Sequence, residues 1–587
     1  MEQEKKPSLD WVLLKRVLKL AMPFKRLFIL CLVLAVILAP LNTASPWLIN
    51  QIVDNYVFQS DVQGLLMMCG VFVGVLIVTG LLQYVFIYLT SLLGQSVIKD
   101  LRVSVFKHIV QLKLRFFDQT PIGTVTTRTI NDIETINTVF SQGSITIIAD
   151  ILSLFVVLIV MFYTSVSLTL ICLVTLPLIM IATYIFKQKV KASYQTVRTQ
   201  ISKMNAFLQE RITGMRIIQI FNAEQQERGN FKKINREYTR ANLDAILYYA
   251  VFFPVVEVIS AIALGLMVWW GARGVIGGNV TPGELVAFPL YLNLLFRPMR
   301  ILADKFNTLQ MGLVAADRVF AILDDTSKID NIGTSVKEKF EGKISFQNVR
   351  FSYDGENQVI HDLSFDVKPG ESLAIVGSTG SGKTTIINIL NRFYEISGGK
   401  VLIDDLPIDE YELFHLRERL AMVLQDVFLF TGTVMENIAL RNDSISREKV
   451  IEASKKIGAH PFFENLPNGY DFIVTERGNN LSMGQRQLIS FVRALVYDPD
   501  ILILDEATSS IDTETEGIIQ YAIETLIQKR TSIIIAHRLS TIRNADHIMV
   551  MEKGRKIEFG GHDELVKIEN GKYRSLYEMQ FETGIIP

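Results

Sequence analysis

Cysteine is scarce in this chain: Cys31, Cys69 and Cys172 are the only three, and each lies inside an apolar run. Neither zinc-ligand spacing nor a disulfide framework is present, so they read as small buried hydrophobes without chemistry of their own. An excess of either charge is missing too. Lys plus Arg number 59 against 60 Asp plus Glu, a formal net charge of −1, which offers no overall basic surface for nucleic acid. The N-terminus does not read as a cleavable leader either. The N-terminus, "MEQEKKPSLDWVLLKRVLKLAMPFKRL", is basic, but its apolar residues fall at helical spacing between lysines and it lacks a small-residue cleavage site. It predicts an amphipathic surface helix. Low-complexity tracts and internal repeats are absent.

Apolar residues, by contrast, make up 49% of 587 positions, high for a soluble protein of ordinary charge. Between Leu27 and Phe296 they gather into six runs, roughly 27–49, 65–93, 143–163, 166–186, 246–270 and 282–296. Most reach the ~20 residues that cross hydrocarbon. The last is short and broken by Pro289, but can lengthen toward Leu313 if it lines a cavity. Residues 50–64 contain no Lys or Arg, whereas 97–128 and 187–240 are rich in both. The positive-inside rule then puts both termini and the two long loops in the cytoplasm, in a multi-pass protein of the cell membrane. Helical periodicity in those loops predicts helices that run well beyond the bilayer. Asp150, Glu257 and Arg297 fall within the runs, costly in lipid, and are expected to face a cavity or one another.

Past a polar segment at 323–341 the pattern changes to alternating strand-like runs and turns, a soluble α/β domain over 342–587 following a membrane domain over 1–322. In "SLAIVGSTGSGKTTIINIL" an apolar strand enters Gly377, Ser378, Thr379, Gly380, Ser381, Gly382, Lys383, Thr384 and Thr385, and a helical pattern follows. Glycines let successive backbone N–H groups turn toward a phosphate and the helix N-terminus adds partial positive charge. Lys383 reaches the terminal phosphates, and Thr384 can ligate Mg²⁺. A second apolar strand, "DILILDEATSSID", ends in Asp505 and Glu506 at the edge where ligands of parallel sheets bind. One carboxylate can hold Mg²⁺ through water while the next polarises the attacking water. A third, "TSIIIAHRLS", ends in His537, where a neutral imidazole can meet a γ-phosphate.

With these motifs and "LSMGQ" in this order, the chain resembles an ATP-binding cassette (ABC) half-transporter of exporter type. The likeness covers essentially the whole chain. It implies a six-helix all-α transmembrane domain followed by an α/β P-loop nucleotide-binding domain, with ATP and Mg²⁺ as cofactors. It further implies that Tyr353 stacks on adenine, a core-facing strand Tyr being the alternative. Gln425 would contact Mg²⁺ and the lytic water, alongside Thr384 and Asp505. Ser482, Gly484 and Gln485 would close over the γ-phosphate held by the opposite subunit. Asp512 would lie in the loop crossing the dimer interface, and "TERG" (475–478) would touch the membrane-domain loops. "RFFDQTPIGTVTTRTINDI" resembles the first cytoplasmic coupling segment, where Phe116, Phe117, Ile122 and Val125 suit docking into a groove, and "GMRIIQIFNAE" the lead into the second.

One position departs from the family pattern: Met483 stands where Gly is usual. Heterodimeric exporters of the family include chains that keep the catalytic Glu and His while their own signature drifts, because that signature serves the partner's weak site. The expectation is therefore a heterodimer with a second half-transporter chain, a homodimer being the alternative. The activity implied is ATP-driven export of a hydrophobic or amphipathic drug or lipid by alternating access. An uptake system on the same fold, or a soluble ABC ATPase, is the rival reading.

Overall fold

The computed structural model describes residues 10–505, 513–535 and 542–583. The chain forms two compact units: one holds the chain up to Val110 together with Ile122–Asp325, the other Gln111–Pro121 and the chain from Thr326 onward.

The first unit is helical. Its elements are α1 (Trp11–Lys19), α2 (Lys25–Ile52) and α3 (Val62–Ile109), then a nearly continuous helical stretch whose last part is α5 (Ser144–Thr164). The short α4 (Leu114–Gln119) precedes that stretch in the chain but belongs to the other unit. There follow α6 (Val166–Thr213), α7 (Glu224–Ile276) and α8 (Pro282–Leu323). Among the described residues, five helices are long and apolar enough to cross a membrane: Met22–Val57, Val62–Ile109, Ile122–Thr164, Val166–Thr213 and Glu224–Ile276. The sixth predicted span opens α8, whose 42 residues absorb Pro289 and Pro298 without breaking.

At 53 residues α7 is about 80 Å long, against about 30 Å of hydrocarbon, so much of it lies outside a bilayer, as the periodicity predicts. It packs along the 48-residue α6, and the short helix Met215–Ile220 caps the pair. The start of α8 is fixed by a capping box between Thr281 and Glu284. Asp54, in a π-helical turn after α2, adds to this by accepting from the Thr281 hydroxyl at 2.6 Å and the Gly283 N–H at 2.7 Å. Asp150 on α5 pairs with Lys305 on α8, a partner that the sequence did not single out; Glu257 and Arg297 are exposed in the single chain.

The second unit carries two larger sheets. β1 (Ile344–Ser352), β2 (Gln358–Val367), β4 (Gly398–Ile403) and β5 (Leu406–Pro407) pair antiparallel in the order β2-β1-β4-β5. The central sheet is built from β3 (Ser372–Gly377), β6 (Leu420–Val423), β9 (Ile501–Asp505), β10 (Thr531–Ile535), β11 (His547–Glu552) and β12 (Arg555–Gly560), in the order β12-β11-β3-β10-β9-β6. Between them come β7 (Gly432–Thr433) and β8 (Ile473–Val474), which pair with each other. From β11 to β6 the central sheet is parallel, and every residue of β9 and β10 is buried, as Ile- and Leu-rich strands covered on both faces must be.

Candidate nucleotide site

The parallel register brings the chemistry to one edge. Ile375, Ile535 and Asp505 share a row across β3, β10 and β9, and Val423 pairs with Leu504 next to it. The loop after β3, the end of β9 and the residues following β6 therefore open on the same side, where ligands of such sheets bind. Glu506, Asp512 and His537 lie outside the described residues.

Beyond β3 the chain turns into α9 (Lys383–Leu390) through glycines that their surroundings require. A Cβ on Gly377 would stand 2.2 Å from the Met551 carbonyl oxygen, and Gly382 holds a left-handed φ of 102° as the N-cap of α9. That cap carries no side-chain hydrogen bond, so the first N–H groups of α9 lack a side-chain acceptor. Ser378, Thr379, Gly380 and Thr384 are exposed, Gly377 is half-buried and Thr385 buried. Lys383 is buried and folds back over the loop, donating to the Gly377 carbonyl at 2.7 Å and the Ser378 carbonyl at 3.0 Å. Burial pushes its ammonium down from the usual lysine value, and Asp505 pulls it partly back. The buried Ser381 hydroxyl has no hydrogen-bond partner among the described residues. An uncapped helix start, a partly desolvated ammonium and an orphaned hydroxyl all fit a phosphate chain. Asp505 supplies one buried carboxylate, and the exposed Thr384 one hydroxyl, for the incomplete, phosphate-sharing shell that Mg²⁺ prefers.

Tyr353 closes the side toward the antiparallel sheet. It is half-buried, its hydroxyl lies 3.0 Å from the Thr385 hydroxyl, and its ring meets Phe351 and Tyr394 nearly at right angles. Tyr394 in turn donates to Asp118 of the first coupling segment, while Lys113 pairs with Asp330 and Glu395 at 2.8 Å each. Part of that segment is thus built into the cassette. Of its four apolar residues, Phe117 and Ile122 are exposed, and Phe116 and Val125 half-buried.

Gln425 sits exposed beyond β6. The loop after it is held by the buried Asn437 on α10 (Val434–Ala439), whose side chain bonds the Phe430 N–H and carbonyl, at 2.8 Å each, and the Thr433 carbonyl at 3.0 Å. The Asn437 carbonyl accepts from Arg493 at 2.9 Å. Neither Asn437 nor Arg493 was expected from the sequence, because a polar residue in a short helical run has no periodic signature until its tertiary partners are known.

Arg493 belongs to α11 (Met483–Val496), the signature helix. Here Ser482 is the N-cap: its hydroxyl accepts from the Gln485 N–H at 3.3 Å, and its N–H donates to the Gln485 side chain at 2.8 Å. Met483 is half-buried at the first helical position, and no residue from Ser482 to Gln485 has positive φ. The backbone at 483 therefore does not demand glycine; only side-chain bulk separates Met from Gly. The preceding turn, Glu476–Gly478, exposes Glu476 and Arg477.

Comparison with known proteins agrees with this geometry. The ABC transporter transmembrane region model matches residues 28–299, and the ABC transporter model residues 360–509. The chain is 40% identical to the uncharacterized ABC transporter ATP-binding protein YknV of Bacillus subtilis, over 98% of this chain and 96% of that one. It is 37% identical to a probable multidrug resistance ABC transporter ATP-binding/permease protein, YheH, of the same species, covering 89% and 78%. Identity to an ATP-dependent lipid A-core flippase of Desulfotalea psychrophila is 35%, covering 97% and 99%. Among solved structures, a bacterial Atm1-family ABC exporter with ATP bound superposes with a TM-score of 0.76 at 28% identity, over 95% of this chain and 98% of that one.

Proposed function

Because this chain belongs to the ABC transporters of exporter type, we propose that its parallel-sheet edge holds Mg-ATP and that two such cassettes close on each nucleotide to power export. The chain is a multi-pass membrane protein and an ATP hydrolase whose reaction drives export of a hydrophobic or amphipathic substrate. The observation that carries the nucleotide reading is the Lys383 loop beside Asp505. On this reading Gly377 to Thr385 would cradle the phosphates, Thr384, Asp505 and Gln425 would hold Mg²⁺, Glu506 would activate water and His537 would meet the γ-phosphate. Bound Mg²⁺ would neutralise charge developing on the terminal phosphate. Tyr353 would border the adenine.

Two features support a second chain. By the family likeness Ser482, Gly484 and Gln485 would serve a facing nucleotide, and the tip between α6 and α7 leaves Ile217, Ile220 and Phe221 exposed, the last by 74%. An apolar tip of this kind at the end of two long helices calls for a cover. Exposed Leu424, Phe428, Phe430 and Ile473 on a partner's cassette would supply one. Met483 favours a heterodimer whose partner lacks the catalytic Glu. Both termini would be cytoplasmic, and the low charge of the spans, with multidrug and lipid transporters among the relatives, favours a drug or lipid as substrate.

Glu506→Gln is expected to leave ATP binding intact and to slow hydrolysis by about 10²- to 10⁴-fold in proteoliposomes; near-normal turnover would remove Glu506 from its role. Native mass spectrometry of the chain purified from its own cells should reveal a second half-transporter. A stable, fully active two-fold ATPase made by the chain alone would overturn the heterodimer.

A further inference from the structure

The amphipathic helix α1 spends its apolar face inside the protein. Leu14, Val17 and Ala21 are buried in the core of the first unit, packed with residues of α3 and α8. What α1 presents outward is a mixed face: Trp11, 72% exposed, Val12, 81% exposed, Lys15 and Lys19 fall within about a third of a turn of one another. After the short turn Met22–Phe24, exposed Lys25 and Arg26 open α2, the first candidate span. From Trp11 to Val53 the sequence has no Asp or Glu. An indole and a valine left bare among lysines do not suit water, and the cations do not suit hydrocarbon. Trp beside Lys at the entry of a span is the chemistry of the bilayer interface, and four cations there against the one exposed carboxylate of Asp10, the N-cap of α1, favour anionic headgroups.

The same helix is tied to the far end of the membrane unit. Arg16 forms a two-point ion pair with Asp324, at 2.6 and 2.5 Å, and its guanidinium lies 4.0 Å over the Phe320 ring. Asp324 is the C-cap of α8, the point from which the chain leaves for the cassette.

We propose that Trp11, Val12, Lys15, Lys19, Lys25 and Arg26 form a docking surface for the anionic phospholipid headgroups of the adjoining leaflet, and that Arg16 passes its occupancy to the end of α8. Lipid charge would thereby tune ATP turnover independently of the transported substrate. The test uses the transporter assembled with its partner chain in vesicles of phosphatidylcholine, alone or with a minority of phosphatidylglycerol, either lipid carrying brominated tails. Trp11 emission is taken as the difference between wild type and Trp11→Phe. Brominated phosphatidylglycerol should quench it about twofold more than brominated phosphatidylcholine at equal fraction, and salt should close the gap. The variant with Lys15, Lys19, Lys25 and Arg26 all changed to Gln should show no preference, while Lys15→Arg with Lys19→Arg should keep it. ATP turnover should respond to phosphatidylglycerol in wild type and lose that response in Arg16→Met, whose quenching preference stays. Absent quenching, or a preference unchanged by the four Gln substitutions, would overturn the docking surface; an unchanged turnover response in Arg16→Met would overturn the relay.

Discussion

Two helix starts in the cassette use the same physics to opposite ends. Under the proposed function both α9 and α11 would meet a phosphate, the first in this chain's own site and the second in the facing one, and both carry the partial positive charge of unpaired N–H groups. At α9 the cap is Gly382, with no side-chain acceptor, a glycine-strained turn and a lysine bent onto backbone carbonyls. At α11 the cap is Ser482, reciprocally bonded to Gln485, so one of the leading N–H groups already has its acceptor. The first start offers all its leading N–H groups to an anion, whereas the second has one of them already engaged by its own cap. On the proposed reading, a self-capped start suits a group that engages only when cassettes close.

The largest break in this comparison comes from Lys383→Ala. Removing the one ammonium in the loop should abolish measurable ATP binding by the single chain and lower hydrolysis by about 10²- to 10³-fold. Ser482→Ala should do something different in kind. ATP binding to the single chain stays unchanged, hydrolysis by the assembled transporter falls roughly tenfold, and the lost cap destabilises the cassette by about 1 kcal/mol, read as a lower unfolding temperature. Equal loss of single-chain ATP binding in both variants would mean that the two starts are not specialised. Met483→Gly is expected to tighten ATP at the partner's site by less than tenfold; a weakening would show that Met483 contributes packing rather than obstruction.

These contrasts were unevenly legible in the sequence. The α9 start announces itself because glycines, Lys383 and a flanking strand are contiguous, so local chemistry is sufficient. The long helices were readable from periodicity for the same reason. Whether Ser482 is self-capped was also within reach, since Ser followed three residues later by Gln is a capping-box spacing. The family likeness drew the reading instead toward the facing nucleotide. Contacts assembled from distant chain segments were not readable: Lys305 against Asp150, Tyr394 against Asp118, and Asn437 holding the loop beyond Gln425. Each joins residues whose own neighbourhoods are unremarkable. The amphipathic α1 was visible, but not that its apolar face turns inward, because a hydrophobic stripe does not say whether lipid or protein covers it.

The finest test of the two starts is protonic. Burial holds Lys383 below the ordinary lysine value without nucleotide, and a bound phosphate chain favours its charged form and raises it again. Between those two values ATP binding must take up a fraction of a proton, and affinity must fall as pH rises through that window. Folding carries the opposite sign. There the unfolded chain binds more protons than the folded one, so the nucleotide-free cassette gains stability from Lys383 as pH climbs. Titration calorimetry of ATP binding in buffers of different ionisation enthalpy reads the uptake directly. It should vanish in Lys383→Arg, whose guanidinium stays charged, and survive in Ser482→Ala, where no titrating group is lost. Uptake that persists in Lys383→Arg would assign the proton elsewhere, with Lys383 already charged before nucleotide arrives.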